Sequence, residues 1–137
     1  MRDILGISMA ASMGIHALVF LASRGPGTTH STAAIAKELC VSESHLGKVL
    51  RALGKKGFLT STRGPHGGFS ILDNTPKASV LSVLEAIDGP FTSPSCQITQ
   101  PACRADGCAL LHLAAEHHEN LVHRLNNLSI GAMAKMG

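Results

Sequence analysis

From Ser42 to Leu72 the hydrophobic period of this chain changes once, abruptly, and few folds accommodate the change. Leu46, Val49, Leu50 and Leu53 recur at the i, i+3, i+4, i+7 spacing of one helix face, with Ser42 placed to cap that helix. Ser44, Lys48, Arg51 and Lys55 fall on the opposite side. Gly57 stands where a left-handed residue is wanted to end the helix. Phe58–Thr62 and Phe69–Leu72 then read as two short strands around the turn Arg63-Gly64-Pro65-His66-Gly67-Gly68. A shorter helix capped by Ser31 or a nearby Thr should precede it and run to Leu39, with Ala34, Ile35 and Leu39 facing inward. Two helices followed at once by a tight hairpin predict a helix-turn-helix with a wing.

The same stretch is strongly cationic. Between Ser44 and Leu72 there is no Asp or Glu, while Lys48, Arg51, Lys55, Lys56 and Arg63 accompany His45 and His66. The formal net charge of +3 understates this local field, which a polyanion would feel. Ser42, Ser44 and His45 lie at the N-terminal end of the cationic helix, where amides and hydroxyls can meet phosphates or base edges. At the hairpin tip come Arg63, Gly64, Pro65, His66 and Gly67; Gly67 and Gly68 are expected to supply positive φ, and Arg63 and His66 suit a narrow, negative minor groove. Trp and Tyr are absent and only four Phe are present, which argues against the aromatic platforms that read single strands and leaves double-stranded DNA as the expected partner. A nucleotide-phosphate loop is disfavoured because no Gly-Lys-Ser/Thr closes this glycine run.

At 137 residues the chain has room for one domain with a core, or a small domain plus a long appended helix. The first helix is expected over residues 4–23, with Ile7, Ala11, Ile15, Leu18 and Leu21 near one stripe, stopped by Arg24-Gly25-Pro26-Gly27. From Ile4 to Ala22 it carries no Asp, Glu, Lys or Arg. Ser8, Ser12, Gly14 and His16 interrupt the run and Asp3 offsets Arg2, so a buried amphipathic helix is expected rather than a membrane span or secretory signal. A cytoplasmic location follows as an expectation, and in that reducing compartment structural disulfides are rare.

Beyond the hairpin, Pro76 punctuates and Val80, Val83, Leu84 and Ile87 build a fourth helix ending at Gly89-Pro90. The last helix should run from Ala109 to Asn126, with Leu110, Leu113, Ala114, His117, Leu121, Leu125 and Leu128 spaced by threes and fours. Few neighbours remain in the chain to cover that stripe, so pairing with a second copy is expected, and a twofold homodimer would present two heads to a palindromic operator. The expected organisation is a winged helix-turn-helix domain over 1–89, whose first helix also packs at the dimer interface, a cysteine-containing sensor loop over 90–108, and a dimerisation helix and tail over 109–137. The fold class is mainly α with a small β-hairpin wing.

Between the fourth and last helices lies Phe91–Cys108, rich in Pro, Thr, Ser and Gly. Cys96, Cys103 and Cys108 are separated by six and four residues on it, close enough for their sulfurs to converge on one soft centre. Spacing alone leaves an iron-sulfur cluster, redox thiols, zinc or no role open; zinc would be expected to show C-x-x-C pairs. Cys40, beside Leu39, reads as a small buried hydrophobe.

The run Ser44-His45-Leu46-Gly47-Lys48-Val49-Leu50-Arg51-Ala52-Leu53, the segment Gly57 to Phe69, the Cys96–Cys108 loop and Leu125-Asn126-Asn127-Leu128 together resemble the Rrf2 family. The resemblance extends over essentially the whole chain. It implies a dimeric bacterial winged-helix transcription regulator, a repressor in expectation, whose three cysteines hold an iron-sulfur cluster of the 2Fe-2S or 4Fe-4S type. Cys96-Gln97-Ile98-Thr99-Gln100-Pro101-Ala102-Cys103-Arg104 is similar in particular to members that sense nitric oxide. The resemblance places a fourth-ligand histidine of some members at Leu111, with His112 one residue beyond; a carboxylate ligand of others falls on Ser12, and His16 matches a histidine used by still others. His16 and His112 are thus the candidate fourth ligands, beside Ser12, water or a partner residue. Gly47 stands where some members carry a base-reading side chain.

The functional expectation is a DNA-binding regulator whose affinity is switched by a cluster sensing nitric oxide, redox state or iron-sulfur status. Its rival is a cluster-free regulator of the same family that senses thiol oxidation or a small metabolite. No Cys, His and acid arrangement with a recognisable substrate pocket can be read, so no enzymatic activity is expected.

Overall fold

The computed structural model describes residues 5–95 and 107–137. Among them are six α-helices and one two-stranded antiparallel sheet, arranged as a winged helix-turn-helix. The first helix, α1 (Met9–Arg24), starts later than expected. Leu5 and Gly6 are left-handed, with φ of 54° and 80°, which a right-handed helix cannot include. Ser8 supplies the cap instead: its Oγ accepts from the Ala11 amide at 3.0 Å. The Ser8 amide and hydroxyl also donate to the Asp88 carboxylate, at 3.1 and 2.5 Å.

Asp88 is the last residue of α4 (Val80–Asp88), so that pair ties the ends of two helices together. Gly14 lets them approach: a Cβ there would lie 2.4 Å from Ile87 Cδ1 and 3.1 Å from Val49 Cγ1. Ala11, Ile15, Ala17, Leu18 and Leu21 are buried, which makes α1 the central helix of the core. Fully buried Ile35, Leu46, Leu50, Leu53 and Leu84 surround it. Each such side chain contributes on the order of 1.5–3 kcal/mol relative to exposure.

The reading head begins with α2 (Thr32–Leu39), capped by Ser31 as expected. Its inward positions differ by two residues from the expected set: Ala36 is buried with Ile35, whereas Ala34 is exposed. Cys40 is exposed, not buried. It adopts a left-handed φ of 54°, and the Cys40 and Val41 amides donate to Lys37 O and Ala36 O at 3.3 and 3.0 Å. This closing turn sends Val41 toward the core and Cys40 outward. The following helix, α3 (Glu43–Lys55), closes the same way with Gly57 at φ 86° in the role of Cys40, the Phe58 amide donating to Leu53 O at 3.0 Å.

The wing strands β1 (Leu59–Thr62) and β2 (Gly68–Ile71) pair Leu59 with Ile71 and Thr62 with Gly68. Buried Leu59 and Ile71 root the hairpin in the core, and the Thr75 hydroxyl donates to Phe58 O at 2.7 Å beneath it. His30 adds a third rung: its amide donates to Phe69 O at 3.0 Å and its carbonyl accepts from the Phe69 amide at 2.8 Å. Only glycine fits at 68, because a Cβ there would lie 2.1 Å from His30 O.

The last long helix, α5 (Ala109–Asn127), buries Leu125 alone, while Leu110 and Leu113 are 77% and 63% exposed. What was expected as a tail is a further helix, α6 (Ile130–Met136), capped by Ser129. It packs on α1 with Ile130 fully buried, and Gly131 sits where a Cβ would lie 2.9 Å from Pro76 O. Two hydrogen bonds clip this end of the chain back to the head: the Val80 amide to Leu128 O at 2.8 Å and the Ile130 amide to Ala78 O at 3.0 Å. Among the described residues no helix is long and apolar enough to cross a membrane.

Candidate nucleic-acid interface and cysteine loop

On α3 the hydrophobic spacing becomes geometry. Leu46, Val49, Leu50 and Leu53 are buried, and Ser44, His45, Lys48, Arg51 and Lys55 are exposed on the other side. Ser42 caps the helix, its hydroxyl accepting from the His45 amide at 3.4 Å. Two concavities run along this face. One lies against α2 and is lined by Thr32, Glu43, Ser44, Gly47, Lys48 and Arg51. The other lies against the wing, lined by Arg51, Lys55, Thr60, Ser61 and Phe69 among others. Among the described residues Lys48, Arg51, Lys55, Lys56 and Arg63 are held in no side-chain hydrogen bond or ion pair. Among the described residues no acid pairs with them, so their charge faces solvent.

The hairpin tip, Arg63, Gly64, Pro65 and His66, is exposed, and Gly67 is half-buried. Positive φ falls on Gly68, at 156°, as expected, and on Gly64, at 107°, but not on Gly67. Gly67 is needed for room: its amide donates to Gly64 O at 2.9 Å, and a Cβ on it would lie 2.2 Å from Thr62 O. Thr29 and Ser70 join their hydroxyls at 2.9 Å beside the His30 rung, so the wing is held from two sides.

Of the expected metal ligands, Cys96 and Cys103 lie outside the described residues. Cys108 stands at the N-cap of α5 as a half-exposed free thiol that makes no capping hydrogen bond. His112 follows one turn later, its amide donating to Cys108 O at 3.0 Å. His16 is on the exposed side of α1, its Nδ1 2.8 Å from Ser12 O, beside a hollow shared with Met9, Met13, Leu39 and Val41. Among the described residues no three His, Cys, Asp or Glu side chains converge as a metal site.

Sequence reasoning missed the anchor at the start of the cysteine loop. The Phe91 amide donates to Glu85 Oε1 at 3.0 Å, and its ring packs on His118 with centroids 4.8 Å apart. The loop is thereby fastened to α4 and to the middle of α5 before it departs. Glu85 is the one legible hint, an exposed acid six residues before an aromatic that has no place in a helical stripe.

Comparison with known proteins agrees with this geometry. The family model Rrf2, described as an iron-dependent transcriptional regulator, matches residues 7–136. The HTH-type transcriptional regulator YffB of Lactococcus lactis is 31% identical over 134 residues, spanning 93% of this chain and 86% of that protein. Among solved structures, CymR, the global cysteine regulator of B. subtilis, superposes with a TM-score of 0.78 at 20% identity, covering 100% of this chain and 99% of that one. IscR of T. potens gives a TM-score of 0.73 at 18% identity, covering 98% and 88%.

Proposed function

The chain belongs to the Rrf2 family of transcriptional regulators, and on that premise we propose that it is a homodimeric repressor whose grip on a palindromic operator is set by an iron-sulfur cluster. The observation that carries the DNA half is the set of unpaired cations on one face, Lys48, Arg51 and Lys55 on α3 with Arg63 on a wing rooted in the core. Ser42, Ser44 and His45 meet backbone phosphate or base edges at the start of α3, and Arg63, Gly64, Pro65, His66 and Gly67 enter the minor groove. The exposed Leu110 and Leu113 on α5 support pairing with a second copy.

For the cluster half, Cys96, Cys103 and Cys108 are the proposed thiolate ligands, with His16 or His112 as candidates for the fourth position. The donor chemistry at Cys108 fits: its sulfur is half-exposed and makes no capping hydrogen bond, so it can serve a soft metal. A bound cluster would supply an iron centre that nitric oxide and oxidants can attack. The chain's own contribution is positional. Cys108 opens α5, and Phe91 fastens the other end of the loop to Glu85 of α4, so ordering the loop restrains two helices of which one packs on the head.

A second reading is supported by the free thiol of Cys108 and by the fold shared with a cysteine regulator: a cluster-free regulator answering to thiol oxidation or a small metabolite. Anaerobic purification with iron and sulfide quantitation separates the two. The cluster reading expects visible sulfur-to-iron absorption that Cys108→Ala abolishes. Colourless, iron-free protein that binds its operator fully, and that forms a reversible disulfide under mild peroxide, would establish the second reading instead.

A further inference from the structure

Arg51 has a seat that the other cations of the reading face lack. Glu43, Gly47 and Arg51 are spaced four apart and lie along one stripe of α3. Gly47 has no side chain, and the Arg51 guanidinium folds back over it. Its Nη1 and Nη2 lie 3.4 and 3.9 Å from where a Cβ on Gly47 would be, and Thr32 Cγ2 of α2 lies 3.7 Å from it. Long helical side chains lean toward the N-terminus, so a larger residue at 47 would occupy this space. Arg51 also lines both concavities, the one against α2 and the one against the wing, which puts it at the middle of the face. Lys48 lines the α2 concavity as well, but on its other side it borders a hollow toward α1 with His45, Ala10 and Met13 and does not line the one against the wing.

We propose that Arg51, seated across Gly47, reads the guanine of one G·C pair in the major groove of each operator half-site, and that Glu43 keeps phosphate out of that seat. The proposal rests on the DNA-binding reading above. Guanine offers two acceptors, N7 and O6, side by side, and the guanidinium fork offers two parallel donors. The carboxylate of Glu43 lines the same concavity. It repels a phosphate there and can accept from the N4 amino group of the paired cytosine. A fork already packed over glycine loses less rotamer freedom on binding than a free one.

The test selects an operator for the full-length protein from a random duplex library. Fluorescence anisotropy titrations then follow on that operator with each base pair changed in turn, over a salt series. Wild type is expected to lose about 5- to 150-fold in affinity when one G·C pair is replaced in one half-site. Arg51→Lys keeps the charge and should erase that preference while the salt slope stays. Gly47→Gln should erase it with Arg51 intact, and Glu43→Gln should strengthen binding to non-operator DNA. Lys48→Ala should weaken all sequences alike, with the salt slope reduced by about 1.8, about 0.9 for each subunit. Retention of the G·C preference in Arg51→Lys, or in Gly47→Gln with an unchanged circular dichroism spectrum, overturns the proposal. Absence of salt-dependent DNA binding in the wild type would instead overturn the DNA-binding reading on which it rests.

Discussion

Replacing Gly68 by alanine should break the wing's link to the His30 segment. The added Cβ would lie 2.1 Å from His30 O, where ordinary contact begins at 3.4 Å, so β2 and the His30 segment must separate by roughly 1.3 Å. The two hydrogen bonds of the His30–Phe69 rung, now 3.0 and 2.8 Å, then stretch to about 4 Å, beyond hydrogen-bonding range. At about 0.5–1.5 kcal/mol each, their loss costs on the order of 1–3 kcal/mol. Hydrogen exchange followed by mass spectrometry or NMR reads this locally: the His30 and Phe69 amides should lose protection while Leu18 and Leu50 keep theirs. Thermal denaturation should fall by about 3–12 °C for a chain of this size. Gly64→Ala is the matched comparison, since Gly64 has open space around it and a φ of 107°, so it should strain the turn without freeing His30. Unchanged protection at His30 and Phe69 in Gly68→Ala would refute the steric reasoning.

Three further outcomes follow from the packing. Cys40→Gly should raise stability by about 0.5–1 kcal/mol in urea denaturation, because it removes a side chain from a left-handed position without losing a buried group; a net loss would show that the thiol contributes packing. Ile130→Ala should cost about 2–5 kcal/mol, since Ile130 is fully buried between α6 and the core, and a loss under about 1 kcal/mol would mean that α6 is not docked in solution. Leu110→Glu with Leu113→Glu should leave the helical content unchanged by circular dichroism yet shift sedimentation from dimer to monomer, and an unshifted species would place the subunit contact elsewhere.

The head was legible because its signals are local. Ser31 and Ser42 cap the helices they precede, the Leu46 to Leu53 spacing sets which side of α3 is buried, and Gly57 ends that helix where a left-handed residue was needed. What escaped was decided by distant contacts or by backbone geometry that side-chain pattern does not encode. Cys40 looked like a core residue because it follows Leu39, but the turn it closes delivers Val41 inward instead. The start of α1 was misplaced because apolar Ile4 to Ile7 fits the helical stripe, while the bond from Ser8 to Asp88 is set by tertiary structure. The α6 helix was missed because Ile130, Met133 and Ala134 make too short a pattern, although Ser129 offered a cap. The candidate site divides in the same way. The cations of α3 could be read from spacing, whereas the seat of Arg51 over Gly47 depends on the approach of Thr32 from another helix.

The attachment of α5 makes it a cantilever. Its C-terminal end is built into the head through Leu125 and the isolated bridge between Ser79 and Ser129, His118 meets Phe91 midway, and Leu110 and Leu113 are exposed near its other end. Its 19 residues at about 1.5 Å each make a beam of about 28 Å. A rotation of about 5° at the root therefore sweeps the Cys108 end through about 2.5 Å, and the same gearing runs in reverse. Force applied at the tip reaches the root multiplied by the length of the arm, so chemistry at Cys108 has the leverage of the whole helix on the domain that carries Arg51.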